Sequence, residues 1–85
     1  MDLRWLEDVL VLLEERNLTK AAERRNVTQP AFSRRIKSFE AWMGTPLLER
    51  KANRVEISPS LLANEDEIKS LIARLQELRN KITTF

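Results

Sequence analysis

The chain has 85 residues, 42% of them hydrophobic and 33% charged, with a net charge of +2 and neither histidine nor cysteine. That length allows one domain with a modest core, and the hydrophobic share is too high for a disordered chain. A disulfide framework, a thiol or imidazole catalyst and a soft metal site are excluded, and a single glycine leaves no phosphate loop, so no enzyme, no catalytic or metal-binding residue and no cofactor are expected.

The small net charge hides an uneven distribution. Residues 16–54 hold ten basic groups against three acidic ones, whereas the two flanks hold five basic and ten acidic. A basic centre between acidic ends suits a polyanion-binding face. No apolar run approaches the roughly 18 residues that cross a membrane, and the first residues lack a secretory pattern. A cytoplasmic place and no membrane partner are expected.

Residues 2–15 read as a helix, with Asp2 as its N-cap and Leu3, Leu6, Val9, Leu10 and Leu13 at helical spacing. Trp5 and Leu12 widen that stripe, so the helix faces more than one neighbour. "RNLT" breaks it, and Thr19 is expected to cap a short second helix, "KAAERR", whose Ala21 and Ala22 permit close helix approach. Asn26 suits the left-handed conformation that ends a helix, and Val27 plugs the corner.

A third helix spans about residues 29–43. The Thr28 hydroxyl caps it, and Pro30 falls in the first turn, where its missing N–H has no intrahelical acceptor to lose. Phe32, Ile36, Phe39 and Met43 make its buried stripe, and Gly44, the one glycine, stands at its end. Gln29, Pro30, Ser33, Arg34 and Lys37 share the opposite side, with Arg35 among the polar residues that follow Ser33.

"TPLLERKANRVEIS" changes period. Val55 and Ile57 alternate with Arg54 and Glu56, as in a half-buried strand, "PLLER" lies opposite, and "KAN" turns between them, with Asn53 suited to positive φ. Beyond it Ser58 caps and Pro59 starts a last helix. Leu61, Ile68, Leu75 and Ile82 fall seven apart, and Asn64, Leu71, Leu78 and Phe85 fill the positions three further on. This predicts a helix of about 27 residues, roughly 40 Å long at 1.5 Å per residue. Such a helix is too long to bury against the residues before it, so part of its stripe calls for a second chain.

A short helix, a tight corner and a second helix with its polar side outward make a helix-turn-helix. Gln pairs with adenine and Arg with guanine, Ser meets a base edge or phosphate, Pro30 and Ala31 offer apolar surface to a thymine methyl, and helix N-terminal amides near Gln29 favour phosphate. Arg50, Lys51 and Arg54 on the hairpin reach flanking backbone or minor groove, which makes the hairpin a wing.

With those residues in place, the chain resembles the N-terminal DNA-binding region of LysR-type transcriptional regulators. The resemblance runs without gaps over residues 3–58, through "LRWLEDVLVLLEE", "LTKAAERRNVTQPAFSRRIKSFE" and "GTPLLERKANRVEIS". It implies a mainly α fold, a winged helix-turn-helix of three helices and a two-stranded wing, followed by a long dimerisation linker helix. Residues 1–58 are then the DNA-binding domain and residues 59–85 the linker. Implied DNA-reading residues are Thr28, Gln29, Pro30, Ser33, Arg34 and Lys37, with Arg50, Lys51, Asn53 and Arg54 on the wing. Dimerisation falls to Leu61, Ile68, Leu71, Leu75, Leu78 and Ile82. The partners implied are double-stranded DNA and a second copy, paired antiparallel with one reading head at each end and assembling further in a full-length regulator.

Arg16, Leu48, Pro59 and Leu61 depart from the family pattern, in packing and at the linker's start rather than on the base-reading face. The family's effector-binding domain has no counterpart in these residues, so a fragment of a longer regulator is expected. A protein-interaction coiled coil and a sequence-indifferent, nucleoid-type DNA binder are the alternatives to a sequence-specific dimer on an inverted-repeat operator.

Overall fold

A computed structural model describes residues 1–52 and 54–85, and the backbone alone of Arg50. Among the described residues seven elements follow one another: helix α1 (Arg4–Glu15), α2 (Leu18–Arg24), α3 (Gln29–Met43), strands β1 (Leu48–Lys51) and β2 (Arg54–Ile57), then α4 (Pro59–Ala63) and α5 (Glu65–Thr83). The mainly α fold with a two-stranded wing is the expected one.

α1 begins where Asp2 accepts the Arg4 amide at 2.9 Å. The Arg4 guanidinium grips the same carboxylate, and those hydrogen bonds hold the Asp2 carboxyl down at about 2. At the other end Arg16 takes a left-handed conformation, φ 55°, and its amide bonds Leu12 O. Val9, Leu12 and Leu13 from α1, Ala21 and Ala22 from α2, and Phe32 and Ile36 from α3 form the centre of the core. The two alanines lie between larger neighbours, as close helix packing requires.

α2 departs from the reading in one detail. Its cap is Asn17, whose side chain accepts the Lys20 amide, and not Thr19, which lies inside the helix. Starting two residues earlier lets Leu18 pack against the core. The corner is as expected: Asn26 has φ 57°, its amide bonds Glu23 O, and the Val27 amide reaches back to Ala22 O at 3.1 Å. This closes the end of α2 and tucks Val27 onto the core.

α3 has the ends the sequence marks, with Thr28 Oγ1 accepting the Ala31 amide and Gly44 left-handed at φ 76°. Met43 is a correction, since it is 48% exposed and outside the buried stripe that ends at Phe39. Glu40 Oε2 accepts the amides of Leu47 and Leu48 at 2.7 and 3.2 Å, which ties the start of the wing to α3. The wing is an antiparallel pair in the register Leu48↔Ile57 to Lys51↔Arg54. In its turn the positive φ falls on Ala52, at 52°. Asn53, expected to carry it, lies outside the described residues.

The expected single helix after Pro59 is interrupted. Ser58 caps α4, Asn64 leaves helical geometry at φ −107°, ψ 15°, and α5 starts afresh with Glu65, Asp66 and Glu67 in its first turn. The polar exception in the heptad pattern is the point of the break, because Asn64 Nδ2 turns back to Ser60 O. α5 then packs along α1 through Ile68 and Ile72.

Candidate nucleic-acid interface

α3 sorts its side chains by the rotation of a helix. Phe32 and Ile36 are buried, Gln29 and Ser33 half-buried, and Pro30, Arg34 and Lys37 exposed. Gln29 Nε2 donates to Ser33 Oγ at 3.1 Å, so these two polar groups, one turn apart, meet the solvent as a pair. Thr28 is exposed, but its hydroxyl is engaged in the cap. The two arginines part company. Arg34 faces solvent, whereas Arg35 turns inward and donates from Nη2 to Asp8 Oδ1 at 2.6 Å, which corrects its expected place on the polar side.

Ion pairs decide which cations remain for a polyanion. Arg24 lies 3.2 Å from Glu14 and 3.0 Å from Glu15, Arg25 is held by Glu7 and Asp8, and Arg16 reaches Glu65 at 3.4 Å. The acidic flanks thus fold back on the basic centre and neutralise much of it. Lys20, Arg34 and Lys37 have no ion-pair partner among the described residues, and all three are exposed. Lys20 was not singled out by the sequence, since nothing in its spacing separates it from an ordinary surface lysine.

On the wing Arg54 pairs with Glu56 at 2.9 Å, and Lys51 lies 3.7 and 3.8 Å from Glu49 and Glu56. Such exposed pairs are worth at most about 1 kcal/mol, so a phosphate can displace them. Arg54 and Gln29 line one cleft of about 690 Å³ between the wing and α2, together with Asn17 and Thr19. Of the other expected wing residues, the Arg50 backbone pairs with Val55, and Asn53 lies outside the described residues.

The expected dimerisation residues divide. Leu61 is buried in the chain's own core and Ile68 packs against it, so neither is free for a second copy. Leu71, Leu75, Leu78 and Ile82 remain exposed. Leu75, Leu78 and Ile82 line an apolar groove of about 450 Å³ with Ile72, Leu6 of α1 and Leu3 just before that helix.

The pattern described as "Bacterial regulatory helix-turn-helix protein, lysR family" matches residues 3–60, more than half of the chain. The chain belongs to the LysR family. The LysR-family domain is 37% identical over 76 residues to the HTH-type transcriptional regulator YjiE of Escherichia coli K12, covering 89% of this chain and 25% of that one. It is 33% identical to BenM of Acinetobacter baylyi, covering 96% of this chain and 30% of that protein. Both are transcriptional regulators and not enzymes, and the chain spans between a quarter and a third of their length. In three dimensions it is similar to Vibrio fischeri DarR in complex with DNA, with a TM-score of 0.87 at 39% identity over 99% of this chain and 29% of that one. It is also similar to the BenM DBD in complex with benA site 1 DNA, with a TM-score of 0.84 at 28% identity over 99% of this chain and 94% of that one. The winged helix-turn-helix of this LysR-family domain is of the kind such regulators set against DNA. Among the described residues, no helix is long and apolar enough to cross a membrane.

Proposed function

We propose that this chain is the operator-reading module of a LysR-type transcriptional regulator, working as a homodimer on the nucleoid of a bacterial cytoplasm. The observation that carries the reading is the sorting of charge. Most of the arginines within the helix-turn-helix are neutralised by acids, and the cations left over, Lys20, Arg34 and Lys37, gather on the start of α2 and the outward side of α3 around the Gln29–Ser33 pair.

In this reading α3 enters the major groove. Gln29 and Ser33 meet base edges, Pro30 offers apolar surface to a thymine methyl, and Arg34 has the fork that suits guanine. Lys37 and Lys20 neutralise phosphates, which position the domain without reading sequence. Arg54 and Lys51 exchange Glu56 for the phosphates beside each half-site, with Arg50 and Asn53 on the same wing. Residues 1–58 form the reading head, and residues 59–85 join two heads across a two-fold axis.

Selection of bound duplexes from a random pool, followed by titrations of the selected and random DNA, tests this. Gln29→Ala costs about 1–3 kcal/mol against the selected duplex and little against random DNA. Lys37→Ala weakens both alike and flattens the salt slope by about one unit. A Gln29→Ala variant that binds selected and random DNA with equally reduced affinity overturns base reading. A salt-independent wild-type affinity overturns DNA binding altogether and leaves a protein-interaction coiled coil.

A further inference from the structure

Asp8 is the one fully buried carboxylate of the described residues, and it lies on α1, an element that carries no residue assigned to DNA. A single oxygen of it, Oδ1, accepts from Arg25 Nε at 2.7 Å and from Arg35 Nη2 at 2.6 Å. Arg25 is the C-cap of α2 and Arg35 sits mid-way along α3, so one atom of α1 holds both helices of the helix-turn-helix. Glu7 takes the other side of Arg25 at 2.9 Å, and the four groups together are formally neutral.

We infer that the Asp8–Arg35 contact positions α3, fixing the rotation and height at which Gln29, Ser33 and Arg34 are offered to the bases. The rest of the α1–α2–α3 interface is Ala21, Ala22, Phe32, Ile36 and their aliphatic neighbours, and apolar packing is non-directional. Charged hydrogen bonds are directional. One residue of α-helix is a rotation of 100°, so turning Arg35 inward is what turns Arg34 outward. The cluster is also a poor device for stability alone, because Asp8 Oδ2 and Arg35 Nε are buried with no hydrogen-bond partner among the described residues. Incompletely satisfied buried ion pairs are commonly matched or exceeded in stability by apolar replacements. Sequence spacing carries a trace of it: Asp8 falls three residues after Trp5 and four before Leu12, on the apolar stripe of α1, where a carboxylate needs a cation.

This inference rests on the proposed base-reading role of α3. Its test is the ratio of affinities for a duplex selected by the wild-type chain and for random duplex, measured beside thermal melts. Arg35→Met leaves Asp8 paired with Arg25, so the variant folds, and loss of one cation lowers affinity for all DNA alike without changing the ratio. The expected result is a ratio reduced about tenfold at a temperature where the variant is fully folded. Arg35→Lys, which keeps a charged donor to Asp8, restores it to within about threefold. A wild-type ratio in Arg35→Met overturns the inference, whether or not its melting temperature falls. If the wild-type chain itself shows no preference, the base-reading role fails and this inference with it.

Discussion

Arg16 stands at a position whose backbone, at φ 55°, favours glycine. For an L-residue the left-handed conformation costs roughly 1–2 kcal/mol. The arginine offsets that with its side chain, since Nε caps Leu13 O at 2.6 Å and Nη2 reaches Glu65 at the start of α5. Arg16→Ala removes both contacts and keeps the backbone cost, whereas Arg16→Gly removes the contacts and the cost together. The expectation is that the Ala variant is less stable than the Gly variant by about 1 kcal/mol, a difference of about 4–8 °C in melting temperature for a domain this small. Melts of the two variants at one protein concentration check it, and equal midpoints would mean that the left-handed turn is not what the side chain offsets. The residue was visible in the sequence as a departure from the family pattern, but its reach to Glu65 was not, because that contact depends on where α5 begins.

The wing is held to the three helices by Glu40 together with the apolar contacts of Leu47, Leu48 and Ile57. A two-stranded ribbon alone is marginal in water, and here Glu49 lies opposite Glu56 and Lys51 opposite Arg54, like charges facing like. Glu40 Oε2 supplies the anchor by accepting the amides of Leu47 and Leu48, and the Ser58 amide closes the base of the hairpin on Leu47 O at 2.9 Å. Glu40→Ala strands two amides, one of them on buried Leu47, at a cost of about 1–3 kcal/mol for each group left unsatisfied. Hydrogen exchange is expected to quicken in β1 and β2 well beyond the change in α1–α3, and uniform quickening throughout would make Glu40 an ordinary core contact. What the sequence made legible among the elements follows the reach of each signal. Thr28, Pro30 and Gly44 mark the ends of α3 through contacts within one turn, and Asn26 does the same for α2. Asn17 and Thr19 are both good caps, so the choice between them fell to Leu18 and the core, a tertiary effect. The heptad count ran through Asn64 because one polar residue in four heptads is tolerated in the pattern, while its side chain bonds Ser60 O and stops the helix. Arg35 was misplaced for the converse reason, since its partner Asp8 is 27 residues away.

At the scale of the whole molecule, the break at Asn64 decides which apolar residues belong to the fold and which stay exposed for the proposed second copy. α4 and the first turns of α5 turn Leu61, Ile68 and Ile72 onto the core, while Leu71, Leu78 and Ile82 of α5 stay at 52%, 53% and 67% exposure. Each large side chain removed from water contributes about 1.5–3 kcal/mol, and several from each of two copies together outweigh the freedom lost on association. The groove between α1 and α5 is apolar and open, and the exposed stripe of a second α5 is the occupant proposed for it. In the proposed homodimer, antiparallel pairing places a reading head at each end of an assembly with two-fold symmetry, which calls for an inverted-repeat operator whose half-sites are a whole number of turns apart. The division of residues makes the prediction sharper than the heptads alone allowed. Leu71→Asp/Leu78→Asp is expected to sediment as a folded monomer with a helical content near that of the wild type, whereas Leu61→Asp is expected to unfold, because it places a charge in the core of each copy. Analytical ultracentrifugation with circular dichroism separates the two outcomes. A wild-type monomer at tens of micromolar would remove the dimer, and a dimer that survives the double substitution would put its interface somewhere other than the α5 stripe. On DNA, inserting half a helical turn between half-sites is expected to reduce the dimer's affinity to that of a single head, since the second head then faces away from its groove. Unchanged affinity on that template would mean that the heads bind independently, and α5 would be a tether without a set geometry.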